Sequence, residues 1–463
     1  PTAEDFLAFV SGTGSPAHTV LEAKKRLEKA GFKPLPEGQS WQLEAGGKYY
    51  VTQTGTSIAA FAVGKKWDSS KGGVLIAAGH TDSPCLKLRP CSKVPEKAGT
   101  LQLGVDTYGG GLWHTWFDRP LGMAGKVVLS TEAGGIEERL VHLQMPLCII
   151  PNLAIHLTTP EERKAFAFNN ETQLRPVLCT PCGLGGKVTS KEEKKDAEEK
   201  DEKKGGAQHH EELIVEVAKA LDVAPESILD VDLCMMDATP PSQAGQYVSS
   251  PRIDNVLSTW AAFDAVATFA EQGGLEDSCD IACAASFDHE EVGSTSATGA
   301  DSAVLARWLE RCLAGLSAAP WDEVSARSFL LSCDCAHGLH PNYAEKHQTE
   351  HSPLLGSGSV IKTNANQRYA TTPLLAQMVR EIGKRIDTPI QEFVVRNDCP
   401  CGSTIGPLLS ARLGLRTVDV GAPQWSMHSC RETAHADDVA ALQKLCLGLF
   451  KHFRDIDNSV ACL

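Results

Sequence analysis

The chain has 463 residues, 42% of them hydrophobic, and its 44 Lys and Arg against 58 Asp and Glu give a formal net charge of −14. This length predicts two or three domains, and the negative charge argues against nucleic acid and anionic membrane surfaces as partners. No apolar run of about 18 residues is present, so no membrane span is predicted. The 16 cysteines form no compact disulfide framework, and the segment from Pro1 has no signal-peptide pattern, which together predict a cytoplasmic location.

The first element that the pattern predicts is a buried strand at 74–78, an apolar run without alternation that leads directly into His80 and Asp82. A histidine that binds a metal usually donates its other ring nitrogen to a supporting group, which makes Asp82 a candidate for that role. Taken alone, the pair is more typical of an ordinary surface histidine next to an aspartate.

The composition changes between residues 85 and 240, where short β-like runs are separated by many Gly and Pro. The clearest elements there are two strands and one helix: 126–129, 140–143 and 212–221. Segment 187–206 has mixed charge and no hydrophobic periodicity, which predicts a disordered surface loop. We therefore predict a β-rich domain, 85–240, inserted into a discontinuous α/β domain of residues 1–84 and 241–463.

Beyond residue 240, amphipathic helices alternate with further buried strands. The predicted helices are 255–271, 372–385 and 437–453, and the predicted strands are 281–285, 329–331 and 415–420. This alternation predicts a mixed sheet flanked by helices, with the apolar runs as its central strands. Glu290 and Glu291 follow the first of these strands, Asp334 follows the second, and His428 lies in the loop after the third. Ligands gather beyond the carboxyl ends of such strands, so these side chains and His80 predict one shared site.

Two histidines and three carboxylates form the set that a two-zinc hydrolase needs: His80, Asp254, Glu291, Asp334 and His428. A shared carboxylate such as Asp254 can hold two ions close together, and Glu290 is placed to act as the base for a water molecule. Each residue alone also has an ordinary explanation, such as a helix N-cap for Asp254 or an acidic surface turn for Glu290 and Glu291. The combination carries the prediction.

Eight sequence signatures occur in order between residues 78 and 432: AGHTDSP, YGGGLWHTWFDRPL, SPRIDN, DHEEVGS, HGLHPNY, IKTNANQRYAT, CPCGSTIGP and MHSCRE. With them the chain resembles the aspartyl aminopeptidase family, dizinc metallo-aminopeptidases that form tetrahedral dodecamers. The resemblance implies that the α/β domain is a zinc peptidase domain and that residues 85–240 form a dimerisation domain. It also implies the substrates, which are peptides with N-terminal aspartate or glutamate.

The resemblance implies roles for individual residues as well. The expected ligands of one zinc are His80, Asp334 and bridging Asp254, and those of the other are Asp254, Glu291 and His428. Mn²⁺ or Co²⁺ are the expected substitutes for the two Zn²⁺ of each subunit. Glu290 is expected to deprotonate a metal-bound water that attacks the scissile carbonyl, and to return the proton to the leaving amine. The peptide bond between Asp254 and Asn255 is expected to be cis.

Recognition of an acidic residue needs a cation or hydrogen-bond donors close to the metals, and the matching motifs make His337, Lys362 and Tyr369 the predicted substrate-binding residues. His156, in the inserted domain, is expected to reach the active site of a neighbouring subunit and stabilise the oxyanion. A buried structural histidine is the alternative for His156. The expected partners are peptide substrates and further copies of the chain, in a dodecamer built from dimers.

Two other classes of protein remain open at this point. A dizinc hydrolase of another specificity, such as a neutral aminopeptidase, a deacylase or a carboxypeptidase, would use the same metal ligands. A non-catalytic binding protein on this scaffold would normally have lost Glu290 or a ligand, and all of these positions are intact. A panel of substrates can distinguish a dizinc hydrolase of another specificity from an aspartyl aminopeptidase. The intact site argues against a non-catalytic binding protein.

Overall fold

The structure is a computed structural model that describes residues 2–180 and 208–460. The chain divides into two compact units. The first consists of Pro1–Ser83, Pro241–Met427 and Glu432–Leu463, and the second of Pro84–Pro240 and His428–Arg431. The loop predicted at 187–206 lies outside the described residues.

The strands of the described residues are β1 (Lys33–Pro34), β2 (Lys48–Gln53), β3 (Ser57–Val63), β4 (Val74–His80), β5 (Cys85–Lys93), β6 (Leu101–Tyr108), β7 (Leu121–Ser130), β8 (Ile136–Cys148), β9 (Val177–Cys179), β10 (Ile228–Asp237), β11 (Ser242–Ala244), β12 (Tyr247–Ser250), β13 (Ile281–Phe287), β14 (Phe329–Cys333), β15 (Ala336–His337), β16 (Ser359–Lys362), β17 (Ile390–Phe393), β18 (Arg416–Gly421), β19 (Pro423–Trp425) and β20 (Glu432–His435). The α-helices are α1 (Ala3–Ser11), α2 (Pro16–Lys29), α3 (Pro160–Lys164), α4 (Glu211–Leu221), α5 (Ile253–Glu271), α6 (Val304–Gly315), α7 (Trp321–Val324), α8 (Pro373–Arg385), α9 (Ile405–Leu413) and α10 (Ala436–Ser459).

The first unit is built on a nine-stranded sheet in the order β1-β2-β3-β13-β4-β14-β18-β16-β17. Its centre, β13-β4-β14-β18, is parallel throughout, and these are the four strands predicted from the apolar runs. Towards the edges, β3 runs antiparallel to β13 and β16 runs antiparallel to β18. The predicted mixed sheet flanked by helices is therefore confirmed.

The central strands lack polar alternation because both faces of the sheet are covered. In β4, Leu75 and Ala77 belong to a core that includes α5, α8 and α10. Val74 and Ile76 belong to the opposite core, which includes α6 and α9. A strand packed on both sides has no solvent-facing positions to fill with polar residues. The same unit also contains a small five-stranded sheet in the order β11-β12-β20-β19-β15.

The second unit is a six-stranded antiparallel sheet in the order β8-β7-β10-β5-β6-β9, with α4 packed against its apolar core. The strands predicted at 126–129 and 140–143 lie within β7 and β8.

The four residues 428–431 were predicted in the α/β domain, but they group with the second unit. Their hydrogen bonds explain the difference. The carbonyl oxygen of His428 accepts from the N–H of Leu112 at 2.8 Å, and the N–H of Cys430 donates to the Thr115 hydroxyl at 2.8 Å. The Arg431 guanidinium donates to the carbonyl oxygen of Pro240 at 2.7 Å.

No helix of the described chain combines the length and the apolar character that a membrane span requires. The 14 cysteines in the described residues are all free thiols, and most of them are buried in the two units.

Candidate metal centre

The carboxyl ends of three parallel strands bring predicted ligands of the first unit together. His80 is the last residue of β4, and Asp334 comes directly after β14. Glu290 and Glu291 begin a 3-10 turn, Glu290–Val292, shortly after β13. Because β4 lies between β13 and β14 in the sheet, their polar side chains converge beside the His80 imidazole.

The distances around His80 define the centre of this cluster. Its Nε2 atom lies 3.6 Å from an Asp254 oxygen, 3.7 Å from an Asp334 oxygen and 3.8 Å from a Glu290 oxygen. These separations are longer than hydrogen bonds. They are close to the distance of about 3.4 Å that separates two ligand atoms bound to one tetrahedral zinc ion.

Two triads of residues each offer three ligand atoms that lie within 4.8 Å of one another. The first triad is His80 with Glu290 and Asp334, and the second is His80 with Asp254 and Glu291. An imidazole nitrogen combined with carboxylate oxygens is a donor set that suits zinc, so the residues present fit the metal that the sequence predicts. The grouping differs in two respects from the predicted ligand sets. Glu290, the predicted base, stands in the first triad in place of Asp254, and His80 stands in the second in place of His428.

Asp82 supports both sides of the cluster from a fully buried position. Its carboxylate accepts the backbone N–H groups of Glu290 and Glu291, each at 3.1 Å. One carboxylate oxygen also lies 3.4 Å from Nδ1 of His80, and the same Nδ1 is 3.0 Å from the Asp82 carbonyl oxygen. With Nδ1 donating to that carbonyl oxygen, Nε2 is the ring nitrogen that faces the carboxylates, as in metal-binding histidines.

We expect Asp82→Asn to weaken zinc binding by about 10- to 100-fold, because the amide has one acceptor oxygen where the carboxylate has two. Competition with a chromophoric chelator measures the change. Asp322→Asn, at an exposed position, is the matched control and should bind zinc like the unmodified chain. Unchanged zinc affinity in Asp82→Asn would show that the turn holds its position without this carboxylate.

The peptide bond between Asp254 and Asn255 is cis, as the family resemblance implies. Both residues have non-helical dihedral angles, so regular helix begins after them and Asp254 is not simply a helix cap. The N–H of Asp254 donates to Glu432 at 3.0 Å, and its carbonyl oxygen accepts the Ser83 hydroxyl at 2.6 Å. The sequence predicted no role for Glu432, although it lies in the quoted signature MHSCRE and is buried.

Burial raises the pKa of Glu290 to about 8, and the charges of Asp334, Asp82 and Asp254 act in the same direction while His80 opposes them. Burial alone lowers the pKa of His80. The neighbouring carboxylates, Glu290 above all, outweigh burial and hold the pKa of His80 well above its usual value. In the metal-free cluster, Glu290 and His80 therefore tend to keep their protons at neutral pH.

Zinc binding should release protons at pH 7, because a metal needs the bare Nε2 of His80 and carboxylates in their charged form. Because the pKa of Glu290 is raised to about 8, this carboxyl group loses its proton as the pH rises towards that value. The apparent zinc affinity should therefore increase over the same pH range. Calorimetric titration in two buffers of different ionisation enthalpy measures the protons released. Equal binding enthalpies in the two buffers would contradict this expectation.

Lys362, the last residue of β16, is a buried cation at the edge of the cluster. Its Nζ donates to the Cys335 carbonyl oxygen at 3.3 Å and lies 3.4 Å from an oxygen of Asp334. Burial lowers the pKa of Lys362, but Asp334 and Asp419 more than compensate, so the pKa is raised and the group is charged.

The other two predicted substrate-binding residues have different surroundings. The Tyr369 ring centroid lies 5.1 Å from Nζ of Lys362. His337 is exposed at the end of β15.

Asp419 is a second buried residue to which the sequence predicted no role. Its carboxylate accepts the Thr404 hydroxyl at 2.6 Å and the N–H of Ala370, the residue after Tyr369, at 2.7 Å. Its charge also acts on Lys362. Asp419 lies inside β18, where an acidic residue in an apolar run was the available signal.

His428 and His156 belong to the second unit, and their predicted roles stay predictions. Nδ1 of His428 lies 3.1 Å from the Gly110 carbonyl oxygen. Since a carbonyl oxygen can only accept, Nδ1 is the ring nitrogen that donates in this contact. His156 lies in the 3-10 turn Ile155–Leu157 and is exposed, so the alternative of a buried structural histidine is wrong.

The fold and the cluster define a metal-dependent hydrolase of the α/β class, and comparison with known proteins identifies its family. A family model described as "Aminopeptidase I zinc metalloprotease (M18)" matches residues 9–453. The chain belongs to this M18 family and is a zinc aminopeptidase, a hydrolase that acts on peptides. The family resemblance predicted from the eight signatures is confirmed.

Curated relatives are similar to this chain over nearly its whole length. An aspartyl aminopeptidase of Aspergillus oryzae is 41% identical, over 98% of this chain and 97% of the relative. Aspartyl aminopeptidase 4 of Saccharomyces cerevisiae is 42% identical, over 99% of this chain and 96% of the relative.

Solved structures of the same family share the fold. The chain is similar to one reported as "Cryo-EM structure of the Ape4 and Nbr1 complex", with a TM-score of 0.92 at 39% identity, over 99% of this chain and 87% of that chain. It is also similar to "Structure of S. cerevesiae mApe1 dodecamer", with a TM-score of 0.85 at 29% identity, over 98% of both chains.

Proposed function

We propose that this chain removes aspartate and glutamate from the N-termini of peptides, using two zinc ions and Glu290 as the general base. The observation that carries the proposal is the convergence of His80 with four buried or half-buried carboxylates at the carboxyl edge of the central sheet. Relatives that are about 40% identical over nearly the full length and named aspartyl aminopeptidase support the choice of substrate.

The proposed zinc ligands are those predicted from the sequence: His80, Asp254, Glu291, Asp334 and His428. Zinc bound there supplies Lewis acidity for the scissile carbonyl and lowers the pKa of water in the site. The tautomers of the two histidines support their assignment. Nδ1 of His80 and Nδ1 of His428 each lie within donating distance of a backbone carbonyl oxygen, the arrangement typical of histidines that bind metal through Nε2.

Glu290 accepts the proton of the attacking water and passes it to the leaving nitrogen. Burial is the largest cause that raises the pKa of Glu290, and a carboxylate whose pKa is raised by burial is suited to take up and release a proton near neutral pH. Asp82 positions Glu290 by accepting its backbone N–H. Glu291 is held by the same carboxylate, so the two neighbouring glutamates divide the roles of base and ligand.

Lys362 supplies the proposed positive charge for an acidic substrate side chain. It is the buried cation beside Asp334, and Tyr369 lies next to it. A buried charge acts across a low dielectric, so it discriminates strongly between an acidic and a neutral substrate residue. His337 adds a donor from β15, and His156 of a neighbouring copy is the proposed stabiliser of the oxyanion.

Hydrolysis of Asp-, Glu-, Leu- and Arg-amide substrates by protein of measured zinc content tests the proposed specificity. We expect kcat/KM for the two acidic substrates to exceed that for Leu-amide by about 100-fold or more, the discrimination that one buried charged contact of about 3 kcal/mol provides. A clear preference for Leu-amide would make this chain a neutral aminopeptidase with the same metal site.

We also propose that the chain forms a homo-oligomer, with a dodecamer built from dimers as the expected state. The M18 structure reported as a dodecamer supports this proposal. The second unit contributes exposed apolar side chains, among them Leu153, Ile155 and Leu157, of the kind that protein interfaces cover. Light scattering checks for twelve times the chain mass of 49.6 kDa. The cytoplasmic location stays a prediction, which cell fractionation can test.

A further inference from the structure

Asp419 is a fully buried carboxylate inside β18 that faces the proposed site for the acidic substrate residue. In the antiparallel pairing of β16 with β18, it stands directly opposite Lys362. Side chains of directly opposite residues lie on the same face of a sheet, with their Cβ atoms about 5 Å apart. Asp419 and Lys362 are therefore neighbours on one face of the central sheet.

Asp419 has no proposed role as a zinc ligand, which distinguishes it from the other carboxylates near Lys362. The carboxylates whose charges act on the Lys362 ammonium are Asp334, Asp419 and Asp254. Asp334 and Asp254 are proposed zinc ligands, and a bound dication is the largest charge that such ligands meet. Asp419 is then the buried negative charge beside Lys362 that is not shared with a metal.

Asp419 also holds the segment that carries Tyr369. Its carboxylate accepts the N–H of Ala370 at 2.7 Å, and its own N–H donates to the Thr371 hydroxyl at 3.0 Å. These two bonds fix the backbone directly after Tyr369, whose ring centroid lies 5.1 Å from Nζ of Lys362. One buried residue therefore contacts the Tyr369 segment and stands opposite Lys362.

The start of α9 is built around the same carboxylate. One Asp419 oxygen accepts the Thr404 hydroxyl at 2.6 Å, and the other accepts the N–H of Ala370. A Cβ atom added to Gly406 would lie 2.4 and 2.5 Å from the two Asp419 oxygens, closer than real Cβ contacts. Gly406 therefore leaves the space that the carboxylate fills, and the position of Asp419 is fixed from two segments.

We propose that Asp419 is a positioning residue for acidic specificity, which holds Lys362 and the Tyr369 segment where they meet an acidic substrate side chain. Asp419 acts through these two residues and does not touch the substrate. The proposal rests on the proposed preference for N-terminal aspartate and glutamate, and it adds a residue that supports this preference from inside the sheet.

Hydrolysis of Asp-amide and Leu-amide by protein of measured zinc content tests the role of Asp419. We expect Asp419→Asn to reduce the ratio of kcat/KM for Asp-amide to that for Leu-amide by about tenfold, because the amide keeps the shape and removes the charge. The change should consist of a higher KM for Asp-amide, with kcat and both constants for Leu-amide retained. A purely structural role would affect the two substrates alike.

Gly406→Ala and Thr404→Val test the same inference without a change of charge. The added methyl group of the first displaces the Asp419 carboxylate, and the second removes a hydrogen-bond donor at nearly constant shape. Each should lower the ratio by about fivefold, the effect of one neutral hydrogen bond. Thr404→Ser keeps the hydroxyl and should keep the ratio, as should the exposed control Asp322→Asn.

An Asp419→Asn enzyme that is folded by thermal unfolding and keeps or increases the ratio overturns the proposal, and so does an equal loss on both substrates. If Asp419→Asn does not fold, the comparison of Thr404→Val with Thr404→Ser decides. An unmodified enzyme without a preference for Asp-amide overturns the proposed specificity and the role of Asp419 together. The two failures are distinguishable, because only the second is seen in the unmodified chain.

Discussion

Glu290→Gln should keep its zinc and lose turnover by about a thousandfold or more, the effect of removing a general base. The glutamine has nearly the same shape and can still occupy the space beside His80, but it cannot accept a proton. Because the backbone N–H of Glu290, not its side chain, bonds to Asp82, the turn should keep its position. Zinc content by atomic absorption and kcat on Asp-amide measure the two halves of this expectation.

Glu310→Gln provides the matched control, since Glu310 is an exposed glutamate on α6 in the same unit. It should have the zinc content and kcat of the unmodified enzyme. Full activity in Glu290→Gln would remove Glu290 from the mechanism. Loss of zinc together with activity would instead make Glu290 a ligand, as its place in the first triad allows.

Asp254→Asn should reduce bound zinc from two ions per chain to one or fewer, with a loss of turnover of about a thousandfold or more, because the proposed bridge touches both ions. Asparagine has no negative charge and one acceptor oxygen, so it holds two cations poorly. The hydrogen bonds of Asp254 to Glu432 and Ser83 use backbone atoms, and the variant should therefore fold. Metal content, turnover and thermal unfolding measure these effects.

The Asp322→Asn variant again serves as the control for loss of a single aspartate charge. An Asp254→Asn enzyme with two tightly bound zinc ions and normal kcat would show that another residue bridges the metals. Retention of one ion with partial activity would indicate that the sites bind independently.

The sequence predicted the centre of the fold well, and the reason is physical. Strands covered on both faces must be apolar at every position, so 74–78, 281–285, 329–331 and 415–420 were recognisable without knowledge of their partners. Strands of the small sheet, such as β15 and β19, were not predicted. They have two and three residues, and pairing within the fold defines them more than local pattern does.

The site was predictable where a polar residue follows an apolar run, as for His80 and Asp334. Asp254 follows no such run, and its place depended on the family resemblance. Glu432 and Asp419 were missed because their role is to hold backbone groups of distant segments, and sequence pattern does not reveal such partners. The acidic residue inside the apolar run of β18 was the one local signal for Asp419. The grouping of 428–431 with the second unit was missed for the same reason.

The position of the cluster on the central strands also has a consequence for the metal-free protein. The end of β14, the turn after β13 and the start of α5 hold four carboxylates near one another, where negative charges repel. The site is therefore preorganised, and cations enter a cage that needs little rearrangement. By mass action, ions that bind only the folded chain also stabilise it. Zinc supply would then govern how long the enzyme survives as well as how fast it works.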